Sequence, residues 1–562
     1  YFNNYKIYII GNPIVDDNIN FNKSFDCIKK LINNDFRNYL ILNSLNGEFL
    51  FIIENKVTNE IKIINDRFSS IPLYFCIINN QLYTSNSYID ILKIVNFKKK
   101  ISYDKDQLFE FLKFKRLHGE GTYENSILFL KSGVILSFKN SLKIKKYHNI
   151  KIDKNNNSLL ENSKNLSFLL KNAVKRKINS DLDDYGVFFS GGMDSRIIAS
   201  TLNKLDKFNS IKYYTLGWSK EGEYEITRKL CQIINSENIF MKLLDNYYDQ
   251  FTLEKLFISG GMHNMYANIF LNLKNYLLNQ TKILFHGHGL DYMFQGIYVS
   301  SRNLNLFGRP TIIKRLINLD YSNIVDNYIN TISYRVKNVN FDNLININYK
   351  KDLNYNLKIK LTNIINESRE FTDDPHKSWN YLITHNLSRH YSNTDVLGIG
   401  TNAEQRKIAN DNELFDFYMS IPEDHNLNGK IMKKSLILEN SKLANIESAN
   451  TRYKISATNY EITLNNYINK ILHALTNDKK YKFPSGKRKT WPDEFDILKQ
   501  SSYFRNRINK LYHSNTLREN LKFINFQVLK KKSERFLNSN EYNGFAQFIF
   551  LLITLENMFE EI

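Results

Sequence analysis

The sequence predicts an α/β protein whose larger part is a doubly wound parallel sheet, and three observations carry that expectation. Short apolar runs at 185–189, 211–217, 239–243 and 282–285 alternate with helical stretches, one starting near Gly192 and another near Glu223. Two of those runs end in glycine-rich loops, where an open sheet of this kind places its ligands. The 562 residues, 42% of them apolar, are enough for two domains with substantial cores.

The elements follow in order. Alternating apolar runs at 49–54, 60–65 and 73–78 read as strands of a first, strand-rich layered domain. Cys27 falls in an apolar helical run with Phe25, Ile28, Leu31 and Ile32, whereas Cys76 reads as following a strand. The polar stretch 152–158, after Tyr147 and His148, marks a boundary, giving domains 1–151 and 159–562. From about Ile312 the chain reads as helices, the last of them the apolar run 545–555, which is too short to span a membrane. A second Ser-Gly-Gly, Ser259 to Gly261, lacks a following aspartate and reads as a turn between helices.

Tyr185-Gly186-Val187-Phe188-Phe189-Ser190-Gly191-Gly192-Met193-Asp194-Ser195-Arg196 reads as a strand, a loop and a helix start. Gly191 and Gly192 let backbone N–H groups crowd an anion, the helix adds its positive end, and Ser190 and Ser195 supply hydroxyls. Asp194 stands where a carboxylate can hold Mg2+ against phosphates. The chain has no G-x-x-x-x-G-K-[ST] loop. About a hundred residues on, His286-Gly287-His288-Gly289-Leu290-Asp291-Tyr292-Met293-Phe294-Gln295-Gly296 again ends an apolar run in glycines and an aspartate. A third stretch, Asp395 to Asp411, contains Glu404 and Arg406, and Asn428-Gly429-Lys430-Ile431-Met432-Lys433-Lys434 follows it.

Together these stretches resemble the asparagine synthetase family of PP-loop ATP pyrophosphatases, which split ATP between its α and β phosphates to form an acyl-adenylate. The resemblance implies that Ser190, Gly191, Gly192, Asp194, Ser195, Gly287, Gly289 and Arg406 bind ATP or pyrophosphate and that Asp194 and Asp291 hold Mg2+. It places Asp395, Glu404, Arg406 and Asp411 in register with the family pattern, makes Glu404 a catalytic candidate, and puts a lysine at the adenylate, Lys433 with Lys430 as rival. Where the family carries glutamate, or tyrosine in the β-lactam branch, this chain carries His288. At its ordinary pKa near 6.5, that imidazole could take a proton from an attacking amine. His286 and His288 lack the further Cys or His partners of a zinc site.

The first 150 residues resemble the family's Ntn-type glutaminase half through Leu45 to Phe49, Asp66-Arg67-Phe68 and Leu82 to Asn86. Glutamine-hydrolysing members carry an N-terminal cysteine. This chain starts Tyr1-Phe2-Asn3-Asn4, and Cys27, Cys76 and Cys231 read as small buried apolar residues. Taken as the natural start, that makes the first half a scaffold and moves the expected nitrogen source to a substrate amine, as in the lasso-peptide cyclases and β-lactam synthetases. The implied function is ring closure on an adenylated carboxylate, with a precursor peptide and its leader-binding protein and leader peptidase as partners. A β-lactam-type small-molecule cyclase, an ammonia-dependent amidotransferase and a non-catalytic nucleotide-binding relative are the alternatives.

A net charge of +20 favours anionic ligands in general. The basic cluster Lys479 to Lys489 is interrupted by Pro484 and Gly486 and reads as a solvated loop, not a nucleic-acid site. Three cysteines in so long a chain, with no signal-peptide pattern, fit a reducing cytoplasm.

Overall fold

The computed structural model describes residues 1–562 except 149, 151, 153–154, 179–183, 206–210, 245, 251, 269, 272–273, 278–280, 307, 333–340, 391–392, 450, 477–493 and 539–542. The basic cluster Lys479 to Lys489 and part of the predicted boundary 152–158 lie outside the described residues.

The first half contributes strands β1 (Tyr5–Val15), β2 (Asn18–Ile19), β3 (Asn46–Asn55), β4 (Ile61–Asn65), β5 (Tyr74–Ile78), β6 (Gln81–Ser85), β7 (Leu128–Phe129), β8 (Val134–Phe138) and β9 (Leu142–Lys146). They form a six-stranded antiparallel sheet in the order β2-β1-β3-β4-β8-β9 and a three-stranded one in the order β6-β5-β7. The period-two rule sorts β3 cleanly. Phe49, Phe51 and Ile53 face the helix Phe21–Asn33 with its Cys27, Ile28, Leu31 and Ile32, while Leu50 joins Leu73, Phe75 and Leu130 on the other face. Cys76 lies within β5 rather than after it, because the run continues through Ile78.

The second half contributes β10 (Tyr185–Phe188), β11 (Lys212–Gly217), β12 (Asn238–Lys242), β13 (Ile283–His286), β14 (Ser301–Leu306), β15 (Arg309–Leu316) and β16 (Glu404–Lys407). Five of them make a wholly parallel sheet, β12-β11-β10-β13-β16. The chain leaves β10 toward β11 on one side and returns as β13 on the other. The sheet's switch point therefore lies at the carboxyl ends of β10 and β13, where both glycine loops begin. The expectation of helices alone beyond Ile312 is corrected twice. β14 and β15 pair as an antiparallel hairpin, and β16 closes the sheet edge. Helices make up most of the rest, ending in the buried Asn543–Glu561.

A continuous apolar core joins residues 68–129 of the first half to the parallel sheet and the final helix. Polar ties reinforce it. Asp411 accepts from Arg176 Nε and Nη2, each at 3.0 Å, and from Asn46 Nδ2 at 3.0 Å, while capping the helix Asn412–Ser420. Among the described residues no helix is long and apolar enough to cross a membrane.

Candidate active site

The first loop takes its shape from Gly191, whose φ of +71° is a left-handed conformation open to glycine, and from Gly192, which caps the helix Met193–Lys204 with no side chain in the way. Ser190 is exposed and its Oγ accepts from Gly192 N at 3.4 Å. Ser195 is buried, and its hydroxyl donates to Gly192 O at 3.1 Å, so it braces the loop from within. The second loop meets the first at backbone level. A Cβ on Gly287 would fall 2.4 Å from Asp194 Cβ, and Gly289 has φ +96° and packs on Ala409. That contact requires glycine at 287 and brings Asp291, in the first turn of Leu290–Phe294, into the electrostatic field of Asp194.

The two carboxylates are the unusual chemistry of the site. Asp194 Oδ2 accepts from Gln295 Nε2 at 2.7 Å, whereas its Oδ1 is shielded from solvent and has no hydrogen-bond partner. Burial and the adjacent Asp291 charge push the Asp194 carboxyl well above its usual range, and burial raises Asp291 to about 6. A pair of this kind is stable as carboxylates only with a cation between or beside them. The orphaned Oδ1 therefore fits a hard divalent ion that draws its remaining oxygens from phosphates and water. Among the described residues no group of three or more His, Cys, Asp or Glu could hold a metal, so the protein alone would supply two ligands at most here.

Beside this pair lies a cavity of about 310 Å3 lined by Gly192, Gln295, Lys314, Lys433, Lys454 and Asn459 among others. Lys433 points into it from the helix Lys430–Glu439, donating to Asn459 Oδ1 at 2.8 Å and Ala457 O at 3.2 Å, with its pKa lowered by burial. Lys430 instead pairs with Asp424 at 2.9 Å on the surface, which favours Lys433 between the two rivals. Lys454 and Lys314 went unnoticed in the sequence. Neither carries a local signal, because the hairpin and the loop that deliver them are set by tertiary packing. Lys454 also lines a broader, open groove of about 760 Å3 with Arg452 and Tyr453.

Arg196, inside the first motif, is fully buried. Its guanidinium donates to Gly191 O at 2.8 Å, Leu443 O at 2.5 Å, Ile446 O at 2.9 Å and Glu447 O at 2.7 Å. It thereby fastens the phosphate-type loop to the segment leading to Lys454, a fork geometry that lysine lacks.

Other sequence candidates sit differently. His288 Nε2 lies 2.9 Å from Tyr292 OH, and burial together with the Lys407 charge lowers its pKa to about 3. The imidazole is neutral and weakly basic, not poised near 7. His286 is buried against Gln405 Oε1 at 3.2 Å and also pushed well down. Glu404 and Arg406 stand on β16, the strand beside β13. The parallel register sets Glu404 opposite Ile283, at the amino end of the sheet, roughly 10 Å of strand below His286. There it ion-pairs with Arg406, whose Nε donates to Lys177 O at 3.1 Å. Arg406 lies opposite Phe285, one residue before the carboxyl end of β13. Nothing is described of the Asp395 side chain.

An α/β sheet with a glycine-built anion loop at its switch point and a cation-ready carboxylate pair defines a nucleotide-binding class of protein. The family model for asparagine synthase matches residues 165–437. Asparagine synthetase [glutamine-hydrolyzing] 1 of Bacillus subtilis is 24% identical over 35% of this chain and 30% of its own length. Putative asparagine synthetase [glutamine-hydrolyzing] 2 of Methanocaldococcus jannaschii is 24% identical over 41% of this chain and 45% of its own. The matches thus span less than half of either relative. Among solved structures, NMN synthetase from Francisella tularensis aligns with 42% of this chain and 97% of its own at 16% identity, with a TM-score of 0.21 that carries no argument about the fold.

Proposed function

We propose that this protein is an ATP-dependent carbon–nitrogen ligase that adenylates a substrate carboxylate, releasing pyrophosphate, and passes the acyl group to an amine. The observation that carries the reading is the half-buried Asp194–Asp291 pair with an unpartnered, shielded Oδ1, set beside a glycine loop and a lysine-lined cavity. Asp194 and Asp291 would hold Mg2+, which when bound supplies charge neutralisation for the phosphates. The loop from Ser190 to Ser195 cradles the pyrophosphate, Arg196 keeps that loop and the Lys454 segment in one frame, and Lys433 stabilises negative charge at the reacting carboxyl. His288, bonded to Tyr292, lines a separate small cavity with Ser70, Lys407 and Asn410. It could act as a base only once bound phosphates raise its pKa.

The finer reading is ring closure on a precursor peptide, the lasso-type macrolactam, by the substrate's own amine. Two features support it. The groove at Arg452 and Tyr453 shares Lys454 with the inner cavity and has room for an extended chain. Cys27, Cys76 and Cys231 are buried, with Cys76 raised to about 11 and Cys231 to about 12, so none of them is a thiolate able to release ammonia from glutamine. The first half is proposed as a glutaminase-like, Ntn-type layer that frames the second. An ammonia-dependent amidotransferase fits the same catalytic groups. The deciding assay is AMP and pyrophosphate release with a candidate precursor peptide against ammonium plus small carboxylates. Turnover on ammonium without peptide would overturn the cyclase reading, and no pyrophosphate with any acceptor would overturn the ligase.

A further inference from the structure

The 310 Å3 cavity has three ammonium groups on its wall, Lys314, Lys433 and Lys454, and no aspartate or glutamate. Lys433 has protein acceptors in Ala457 and Asn459 and feels the Glu461 charge. Lys314 differs. Its Nζ reaches only Gly296 O, at a long 3.4 Å, and among the described residues no carboxylate pairs with it. Burial lowers its pKa with no opposing charge, so the ammonium is held where it costs stability unless an anion arrives.

The backbone bearing Lys314 is pinned rather than loose. Lys314 N donates to Asn428 Oδ1 at 2.8 Å and Asn428 Nδ2 donates back to Lys314 O at 3.1 Å. Asn459 Nδ2 holds the same Oδ1 at 3.1 Å, and Tyr467 OH donates to Leu306 O in the facing strand of the hairpin. The β14–β15 hairpin is thus fixed so that its lysine overlooks Gln295 and Gly192, next to the carboxylate pair. A cation with no carboxylate partner, carried on a pinned strand, is the arrangement of a preorganised anion site.

We propose that Lys314 binds an anionic oxygen group of the reactants, supplied either by the triphosphate or by a carboxylate of the acceptor other than the one activated. The assignment rests on the ligase reading above. The experiment titrates wild type, Lys314→Met and Lys314→Arg with Mg2+–α,β-methylene-ATP, then with L-aspartate in its presence, and records a thermal melt of each. A loss of about tenfold or more in nucleotide affinity in Lys314→Met, largely restored in Lys314→Arg, assigns the triphosphate. Unchanged nucleotide affinity with aspartate binding lost assigns the acceptor. Lys314→Met should melt no lower than wild type, because it removes a charge held only by a long bond to Gly296 O and paired with no carboxylate among the described residues. Unchanged affinity for both ligands, or lost affinity accompanied by a lowered melt, overturns the proposal. Wild type failing to bind the nucleotide sinks the ligase reading and this proposal with it, whereas wild-type nucleotide binding that Lys314→Met leaves untouched, with no aspartate binding lost, sinks this proposal alone.

Discussion

Each half of the molecule turns an aspartate inward after a strand, Asp66 fully buried and Asp194 half-buried, and the two are satisfied in opposite ways. Asp66, after β4, is 1% exposed and accepts from Phe68 N at 2.8 Å, Phe49 N at 3.1 Å, Ser70 N at 3.2 Å and Ser70 Oγ at 3.0 Å. Asp194, after β10, takes one bond from Gln295 and leaves Oδ1 bare beside a second carboxylate. Burial raises both pKa values, so the shift alone does not separate structure from function. The count of filled lone pairs does. The first half uses its buried charge to hold a turn, and the second keeps one ready for a ligand.

The sharpest way to break that contrast is to remove each aspartate. Asp194→Ala or Asp291→Ala should abolish pyrophosphate release while the melt stays level or rises. Asp66→Ala strands three backbone N–H groups and should cost on the order of 3 kcal/mol, read from denaturant unfolding. Pyrophosphate release surviving in either of the first two variants would remove the cation assignment.

Lys433→Ala should slow amide formation by about two or more orders of magnitude with little change in substrate binding, and Lys430→Ala should leave the rate near wild type. The reverse ranking in single-turnover kinetics would return the role to Lys430.

A smaller effect concerns pH. The folded Asp66 carboxyl titrates at about 6, above its ordinary value of 3.8. Its contribution is therefore complete below about pH 4 and is lost as pH rises through 6, up to roughly 3 kcal/mol at about 1.4 kcal/mol per pKa unit. Asp66→Asn should flatten that decline, and Mg2+ should not. At pH 7.5, Mg2+ should instead raise the melting temperature of wild type but not of Asp291→Asn. An equal magnesium response in both would show that the ion binds elsewhere.

The smallest effect is expected at the cysteines. Their buried, raised thiols should resist alkylation in the native state at pH 8, and Cys76→Ser with Cys231→Ser should leave turnover unchanged.

Much of the second sheet was legible because its signals are local. Apolar runs bounded by glycines gave β10, β11, β12 and β13 within a residue or two, and the glycines at 191, 287 and 289 are needed for reasons of shape. The charged four-residue β16 was invisible, since Glu404 to Lys407 has no strand pattern and pairs only because β13 lacks an edge neighbour. Its register also decides that Glu404 and Arg406 turn to each other, which motif spacing cannot tell. His288 was visible as a residue but its basicity was not, because the burial and the Lys407 charge that suppress it come from elsewhere in the fold. Lys314 and Lys454 likewise become neighbours of Lys433 only through folding.

The knot at Asp411 has a consequence for the chain as a whole. One carboxylate receives Arg176 and Asn46, starts a helix, and is flanked by the Asn410–Ser70 bond and the Arg67–Asp416 pair. At the far end Lys93 grips Glu561 and Tyr103 packs on Phe559. Trimming the first 148 residues would strip both seams at once and bare the apolar side of the last helix, so the truncated remainder should clump rather than function. The first layer is thereby indispensable as casing, and the whole polypeptide should melt in a single transition.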